Sequence, residues 1–436
     1  MRILMFGWEF PPNITGGLGT ACYGIAKGFR SIPGIELVFV VPKAFGNEDS
    51  EGFKLISACD VELSDQSLKL LRRKGKSFLG KQELISSYIT PELYRKLLLK
   101  GKIASKRPGV GESGNRISLT GRYGAELLDE IDKYTVLASE IAVGEKHDII
   151  HAHDWLTFRA GIKARKISGK PLIVHVHATE FDRSGEHCNK MVYDIEREGM
   201  EAADAVITVS NYTRNIVINK YGIHSDKVFT VYNAVNPPPS ADTSGLLVRD
   251  IPYKIVTFLG RITWQKGPEY FISAAYKVLQ RMSDVRFVMA GGGDMLEKMI
   301  KYVATLGISD RFHFAGFLKG EDVHRMYMLS DLYVMPSVSE PFGISPLEAM
   351  QSGVPVIISR QSGVAEVLKH AIKIDFWDID GMADAIYAVL QYKAIGRFLG
   401  KRGREEAANM KWTETADKIK NIYSRLLTRH ASKRIA

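Results

Sequence analysis

Short β-branched or apolar runs alternate with longer stretches of helical periodicity along most of the chain, the pattern of parallel sheets assembled from βαβ units. In the first half, Arg2–Phe6, Glu36–Val41, Asp148–His153, Pro171–Val176, Ala205–Val209 and Val228–Val231 predict strands, with helices filling most of the gaps. A second series predicts strands over Lys254–Leu259, Val285–Ala290, Phe312–Phe314, Leu332–Met335 and Pro355–Ile358, and helices over Glu269–Gln280 and Met295–Thr305. A helical pattern over Gly381–Asn409 and an amphipathic segment from Trp412 to Leu427 follow. The rhythm breaks twice. From about Gln66 to Arg122 leucine-rich and Gly-rich pieces interrupt it, which predicts an insertion in the first domain. Pro237-Pro238-Pro239, followed by Ser240-Ala241-Asp242-Thr243-Ser244-Gly245, predicts an interdomain linker. The expected layout is a first domain over 1–236, a linker over 237–250, a second domain over 251–411, and a C-terminal helix and tail over 412–436 able to pack back on the first domain.

Length agrees with two domains, because single cores tend to split beyond about 250–300 residues and this chain has 436. Its apolar fraction of 45% and charged fraction of 25% exclude a disordered or membrane-embedded class. Cys22, Cys59 and Cys188 are odd in number and widely spaced, which argues against a disulfide framework or a Cys-based zinc site and for a reducing compartment. The N-terminus turns polar and Pro-rich by Pro11-Pro12, and no apolar run approaches the ~20 residues that span a bilayer, so a cytoplasmic location is expected. Charge is uneven. The stretch from Gln66 to Arg122 holds 14 Lys and Arg against 3 Glu, essentially the whole net charge of +10. Peripheral contact of this insertion with an acidic membrane stays open, beside the plainer reading of a solvated helical insertion. No aromatic-interleaved module accompanies it, so no nucleic-acid partner is expected.

The residue types that carry chemistry fall at the predicted strand ends. Gly16-Gly17-Leu18-Gly19 follows the first strand and opens the first helix, where glycines let backbone N–H groups approach an anion. Gly260-Arg261-Ile262-Thr263-Trp264-Gln265-Lys266-Gly267 places a guanidinium and an ammonium after the first strand of the second domain, the edge at which open α/β sheets bind ligands. Such a pair suits a leaving diphosphate, with Arg as a bidentate clamp and Lys as a mobile point charge. Ser339-Glu340-Pro341-Phe342-Gly343-Ile344-Ser345-Pro346-Leu347-Glu348 leads from a strand into a helix expected to open near Gly343. Phosphates repel carboxylates, so Glu340 is expected on a transferred sugar and Glu348, one to two turns into the helix, on a ribose.

Together these motifs resemble the retaining glycosyltransferases of the GT-B fold, in particular the glycogen and starch synthase and sucrose-phosphate-synthase type. The resemblance covers nearly the whole chain outside the basic insertion. It implies an α/β, GT-B architecture of two Rossmann-like domains with a deep interdomain cleft, an N-terminal acceptor domain and a C-terminal nucleotide-sugar domain. By resemblance, Arg261 and Lys266 hold the diphosphate, Glu348 the ribose, and Glu340 with the N–H groups of Phe342, Gly343 and Ile344 the sugar and phosphate, while Gly16 and Gly17 face the donor. His151-Ala152-His153-Asp154-Trp155 resembles the family's His-Asp-Trp segment and puts Asp154 at the acceptor edge. In Val174-His175-Val176-His177, strand alternation puts His175 and His177 on one face. His177, nearer the carboxyl end, takes the family's place beside the donor sugar, leaving His151 and His175 as hydrogen-bonded core histidines.

The expected catalytic set is therefore His177, Glu340, Arg261 and Lys266, with no metal and no cofactor apart from the nucleoside-diphosphate sugar substrate. Two His-x-His pairs suggest a metal site only weakly, since apart from Asp154 no acidic or Cys cluster completes it. Asp378-Ile379-Asp380 reads as a helix N-cap, not as a metal motif. One departure stands out: the synthases usually carry a lysine two residues before the glycine pair, where this chain has Ile14. That leaves ADP-, UDP- and GDP-sugars all admissible. The implied reaction is metal-independent retaining transfer of a glucosyl unit to an α-glucan. The alternatives are transfer of another sugar to a small-molecule, sugar-phosphate or lipid-linked polysaccharide acceptor, and, further off, a noncatalytic nucleotide-sugar sensor.

Overall fold

The computed structural model describes residues 1–14, 16–65, 115–124, 126–237 and 251–435. The basic insertion lies outside them from residue 66 to 114, and the linker from 238 to 250. The chain divides into two compact units: Met1–Phe181 with Gly185–Tyr232 and Trp412–Ala436, and Asp182–Ser184 with Asn233–Lys411.

The first unit is built on a seven-stranded parallel sheet in the order β3-β2-β1-β4-β5-β6-β7. Its strands are β1 (Arg2–Phe6), β2 (Glu36–Val41), β3 (Lys54–Ser57), β4 (Ile149–His153), β5 (Leu172–Val176), β6 (Ala205–Thr208) and β7 (Val228–Thr230). Central strands covered on both faces read as continuous apolar runs, and β4 and β5 are buried at every position. Helices α1 (Gly17–Arg30), α2 (Leu127–Gly144), α3 (Trp155–Ser168), α4 (Lys190–Ala202) and α5 (Asn211–Tyr221) complete it. Local chemistry sets their ends. Asn189 caps α4 by accepting from the N–H of Met191 at 3.0 Å, and Ser210 caps α5 through that of Thr213 at 3.0 Å.

The second unit repeats the plan with six parallel strands in the order β10-β9-β8-β11-β12-β13. These are β8 (Lys254–Leu259), β9 (Val285–Ala290), β10 (Phe312–Gly316), β11 (Leu332–Met335), β12 (Val356–Ser359) and β13 (Ile372–Ile374). Its helices are α6 (Pro268–Leu279), α7 (Leu296–Thr305), α8 (Glu321–Leu329), α9 (Ser345–Gln351), α10 (Ile379–Gln391) and α11 (Lys393–Ala408). Strand order reverses between β1 and β4 and again between β8 and β11. These are the switch points at whose carboxyl ends such sheets take ligands. Two Rossmann-like α/β domains are thus present.

Helix α12 (Trp412–Ile435) belongs to the first unit and packs along α1. The two approach closely because α1 carries Gly24 and Gly28: a Cβ on Gly24 would lie 2.1 Å from the Trp412 ring, and one on Gly28 would lie 2.3 Å from the Trp412 carbonyl oxygen. The Tyr423 hydroxyl of α12 reaches the buried His151 ring.

Several details differ from expectation. Edge strands β3 and β13 are absent from the pattern because they are short and only partly buried. The run over Gly381–Asn409 is two helices, broken at Tyr392 with φ −98° and ψ 88°. The C-terminal helix continues past Leu427 to Ile435. The second unit begins at Asn233, ahead of residue 236, where the Val235 N–H meets the Met410 carbonyl at 3.4 Å. Among the described residues no helix is long and apolar enough to cross a membrane.

Candidate active site

In the second unit the two charged loops leave the carboxyl ends of neighbouring parallel strands, β8 and β11. They are fastened to each other. Val338 and Ser339 donate their N–H groups to the Gln265 carbonyl at 2.9 and 3.4 Å. Gly267 has φ 64°, and a Cβ there would lie 2.1 Å from the Pro336 carbonyl oxygen, so this approach requires glycine. The result brings Lys266 onto Glu340, whose carboxylate takes an ion pair from the Lys266 ammonium and a 3.4 Å contact from the Ser337 hydroxyl. Glu340 is held rigidly: its N–H donates to the Gln361 carbonyl at 3.0 Å and its carbonyl accepts from Gly363 at 2.9 Å.

The next residues turn sharply. Phe342 is buried and its carbonyl accepts from Val364 at 2.7 Å, while Gly343 adopts φ 101°. Among the described residues the N–H groups of Gly343 and Ile344 meet no acceptor. Helix α9 opens at Ser345 rather than near Gly343, because the positive φ of Gly343 is incompatible with a helical turn and Pro346 fixes the first one. Glu348 consequently sits in the first turn of α9, not further in. Burial raises its carboxyl pKa, and the Tyr327 hydroxyl, 3.4 Å away, counteracts this.

Arg261 lies 3.5 Å from the Gln265 side-chain oxygen. A neighbour that the motifs do not point to is Asp294, whose carboxyl is raised by burial and lowered in part by the Arg261 charge. It ends Gly291-Gly292-Gly293-Asp294, a loop that lies directly on the backbone after β8: Ile262 donates to Gly292 at 2.9 Å, and a Cβ on Gly291 would lie 1.9 Å from the Gly260 carbonyl oxygen. A triple glycine closing a strand is the sequence signal that could have found it. Gln265 escapes sequence reasoning as well, since neutral loop residues carry no pattern. Asp378 accepts from the Gly381 N–H at 2.9 Å and caps α10, as expected.

In the first unit the expected residues gather at the carboxyl ends of β4 and β5. Asp154 follows β4 with φ 57° and ψ 170°, a region that is essentially glycine's own and costs a side-chain-bearing residue about 1–3 kcal/mol. Its Oδ1 accepts from the N–H of His177 at 2.6 Å and of Ala178 at 3.4 Å, which ties the two strand ends together. His151, His153, His175 and His177 stack on one face of β4 and β5, with ring centroids 4.3 Å apart along each strand. His153 Nδ1 and His177 Nε2 are 2.9 Å apart. Burial pushes His151 and His177 down to about 3 and holds His153 and His175 well below the usual range, so all four rings are neutral. His151 is hydrogen-bonded to Tyr423, whereas neither ring nitrogen of His175 has a partner among the described residues, contrary to its expected role as a satisfied core histidine.

Gly16 and Gly17 open α1 exposed, with open space where a Cβ would stand. The close approach is at Gly19, whose Cβ would lie 2.3 Å from the Ile14 side chain. Ile14 thus packs inward on α1.

A model of the glycosyl transferases group 1 matches residues 248–406, and one of glycosyltransferase family 4 matches residues 114–237. An uncharacterized glycosyltransferase of Methanocaldococcus jannaschii is 27% identical over 97% of this chain and 98% of its own length. A D-inositol 3-phosphate glycosyltransferase of Corynebacterium diphtheriae is 25% identical over 64% of this chain and 70% of its own. Among solved structures, sucrose-phosphate synthase of Thermosynechococcus elongatus superposes with a TM-score of 0.72 over 98% of this chain and 99% of that one, at 19% identity, a likeness of fold.

Proposed function

Because the chain is a glycosyltransferase of the GT-B fold, we propose that it transfers a glycosyl unit from a nucleoside-diphosphate sugar with retention of anomeric configuration and without a catalytic metal ion. The observation that carries this reading is the fastened pair of loops after β8 and β11, which gathers Arg261, Lys266, Glu340 and the N–H groups of Gly343 and Ile344. Two fixed cations and two N–H donors are the complement of a departing diphosphate, and preorganised charge stabilisation of this kind commonly contributes more to catalysis than any other single effect.

In the proposed reaction Lys266 and Arg261 neutralise the β-phosphate as the anomeric C–O bond breaks, with the amides of Phe342, Gly343 and Ile344 contributing. Glu340 anchors sugar hydroxyls and keeps Lys266 placed, and Glu348 takes the ribose hydroxyls. The family resemblance assigns His177 to the sugar, Gly16 and Gly17 to the donor and Asp154 to the acceptor. The acceptor oxygen bonds to the anomeric carbon on the face the diphosphate leaves, and its proton passes to a diphosphate oxygen. Retention then needs no protein nucleophile.

For the acceptor, resemblance to the synthases suggests an α-glucan. The relative named for D-inositol 3-phosphate favours instead a small phosphate-bearing acceptor. ADP-, UDP- and GDP-sugars offered with glycogen, with inositol phosphate and with sugar phosphates, in chelator, separate the two. Product whose new linkage keeps the donor's anomeric configuration, formed at the same rate with chelator as with magnesium, is expected. Inverted product, or activity abolished by brief chelation and restored by one divalent ion, overturns the reading.

A further inference from the structure

The four stacked histidines leave an unusual residue of unsatisfied chemistry. His151, His153 and His175 are 0% exposed, yet Nε2 of His151, Nε2 of His153 and both ring nitrogens of His175 have no hydrogen-bond partner among the described residues. An orphaned buried polar group typically costs about 1–3 kcal/mol, and such groups in a native core point to an occupant, a water or an ion. The three side chains each bring a ring nitrogen within 4.8 Å of the others.

We propose that His151, His153 and His175 form a buried tri-imidazole site for a divalent transition-metal ion, zinc foremost, that organises the core of the first unit and takes no part in neutralising the diphosphate. Imidazole nitrogen is a preferred donor for zinc, and three histidines with an open fourth position are an established zinc geometry. For two of the three ligands the outer shell has the arrangement metal-binding histidines favour, in which the nitrogen not on the metal is fixed by a second group, while His175 offers either nitrogen. Nδ1 of His151 is held by the Tyr423 hydroxyl and Nδ1 of His153 by His177 Nε2, and each leaves the opposite nitrogen for the ion. Zinc–nitrogen bonds of about 2.0–2.1 Å place tetrahedral ligand atoms roughly 3.4 Å apart, so binding draws the rings inward and turns them from their stack about the soft χ2 torsion.

A second donor set, Cys22 with His153 and His177, lies equally close. It is the poorer site, because the nitrogens that His153 and His177 turn toward each other already share a 2.9 Å hydrogen bond. Asp154 is engaged by the backbone of His177 and Ala178, and so stays outside the ligand set. With Nε2 of His153 on the ion, its proton resides on Nδ1, so His153 donates to His177 and fixes the tautomer of that ring.

The test is metal analysis and zinc X-ray absorption on the full chain, purified without added metal and also refolded with Zn²⁺ or Co²⁺. One ion per chain with a nitrogen and oxygen first shell is expected, unchanged in Cys22→Ser and lost in His175→Gln, with a lower Tm for the metal-free protein. A metal-free wild type that takes up neither ion on refolding overturns the proposal and leaves water as the occupant. Sulfur in the first shell, or loss of the ion in Cys22→Ser, overturns the tri-histidine assignment. Should His175→Gln fail to fold, the wild-type metal content and the Cys22→Ser spectrum decide alone. Neither readout depends on glycosyl transfer, and a fully buried ion exchanges too slowly for brief chelation in the activity assay to remove it.

Discussion

Glu348 carries a stability cost that its proposed role at the ribose would explain. Burial lifts its carboxyl above the 4.5 of an unfolded chain, so across that interval the folded state holds the proton more tightly. Stability therefore falls as pH rises from about 4.5 through the raised folded value, and the full penalty is present above it. Glu348→Gln is expected to raise Tm at pH 7, to flatten this dependence in thermal melts between pH 4 and 7, and to weaken donor binding about tenfold or more, since a hydrogen bond to a charged group contributes about 1.5–3 kcal/mol. Asp154 poses the opposite case. Asp154→Gly relieves the backbone strain while losing two hydrogen bonds, whereas Asp154→Ala keeps the strain and loses them too, so urea unfolding should find the alanine variant less stable by about 1–3 kcal/mol. Lys266→Ala should lower kcat by about 10²–10³ with Tm also reduced, because it removes the proposed diphosphate contact and strands the Glu340 carboxylate. At this scale the charged residues of the second unit were legible, since strand ends and charge types announce them. The Asp154 conformation, the orphaned nitrogens of His175 and the place of Asp294 were not, because each depends on what a neighbouring strand or loop brings near.

Among the elements, α12 is the one whose place the local pattern left undecided. Its amphipathic face fits many surfaces, and the choice of α1 rests on two glycines that admit the Trp412 ring and backbone. Gly28→Ala sets a methyl against a carbonyl oxygen that cannot move without the helix, so a loss of about 1–3 kcal/mol in denaturant unfolding is expected, in the range of overpacked cores. Gly16→Ala, with open space around it, should change stability far less. The same logic accounts for the two strands missing from the pattern. β3 and β13 lie at sheet edges, where partial exposure dilutes the apolar run that marks a central strand.

For the whole molecule, each unit has its own sheet and its own apolar core, one centred on β1, β4 and β5 and the other on β8, β9 and β11. The first unit includes the chain's last helix, so truncation after Lys411 removes Trp412, Ala416, Ile419 and Tyr423, all buried, from that unit while leaving 233–411 intact. The truncated chain should lose the cooperative melting of the first unit and retain that of the second, read by calorimetry as one surviving transition.

The sequence by itself determined the two αβ series, the central strands and the charged loops at their ends, because periodicity, apolar runs and residue chemistry are local properties that survive without knowledge of partners. It also carried the likeness to a glycosyltransferase family, through motifs whose residues lie within a few positions of one another. Only the tertiary structure decided that Lys266 meets Glu340, that α12 lies on α1, and that four histidines from two strands stack with some of their ring nitrogens unsatisfied among the described residues. Those are pairings of residues far apart in the chain, set by strand register and by where a glycine permits two backbones to touch.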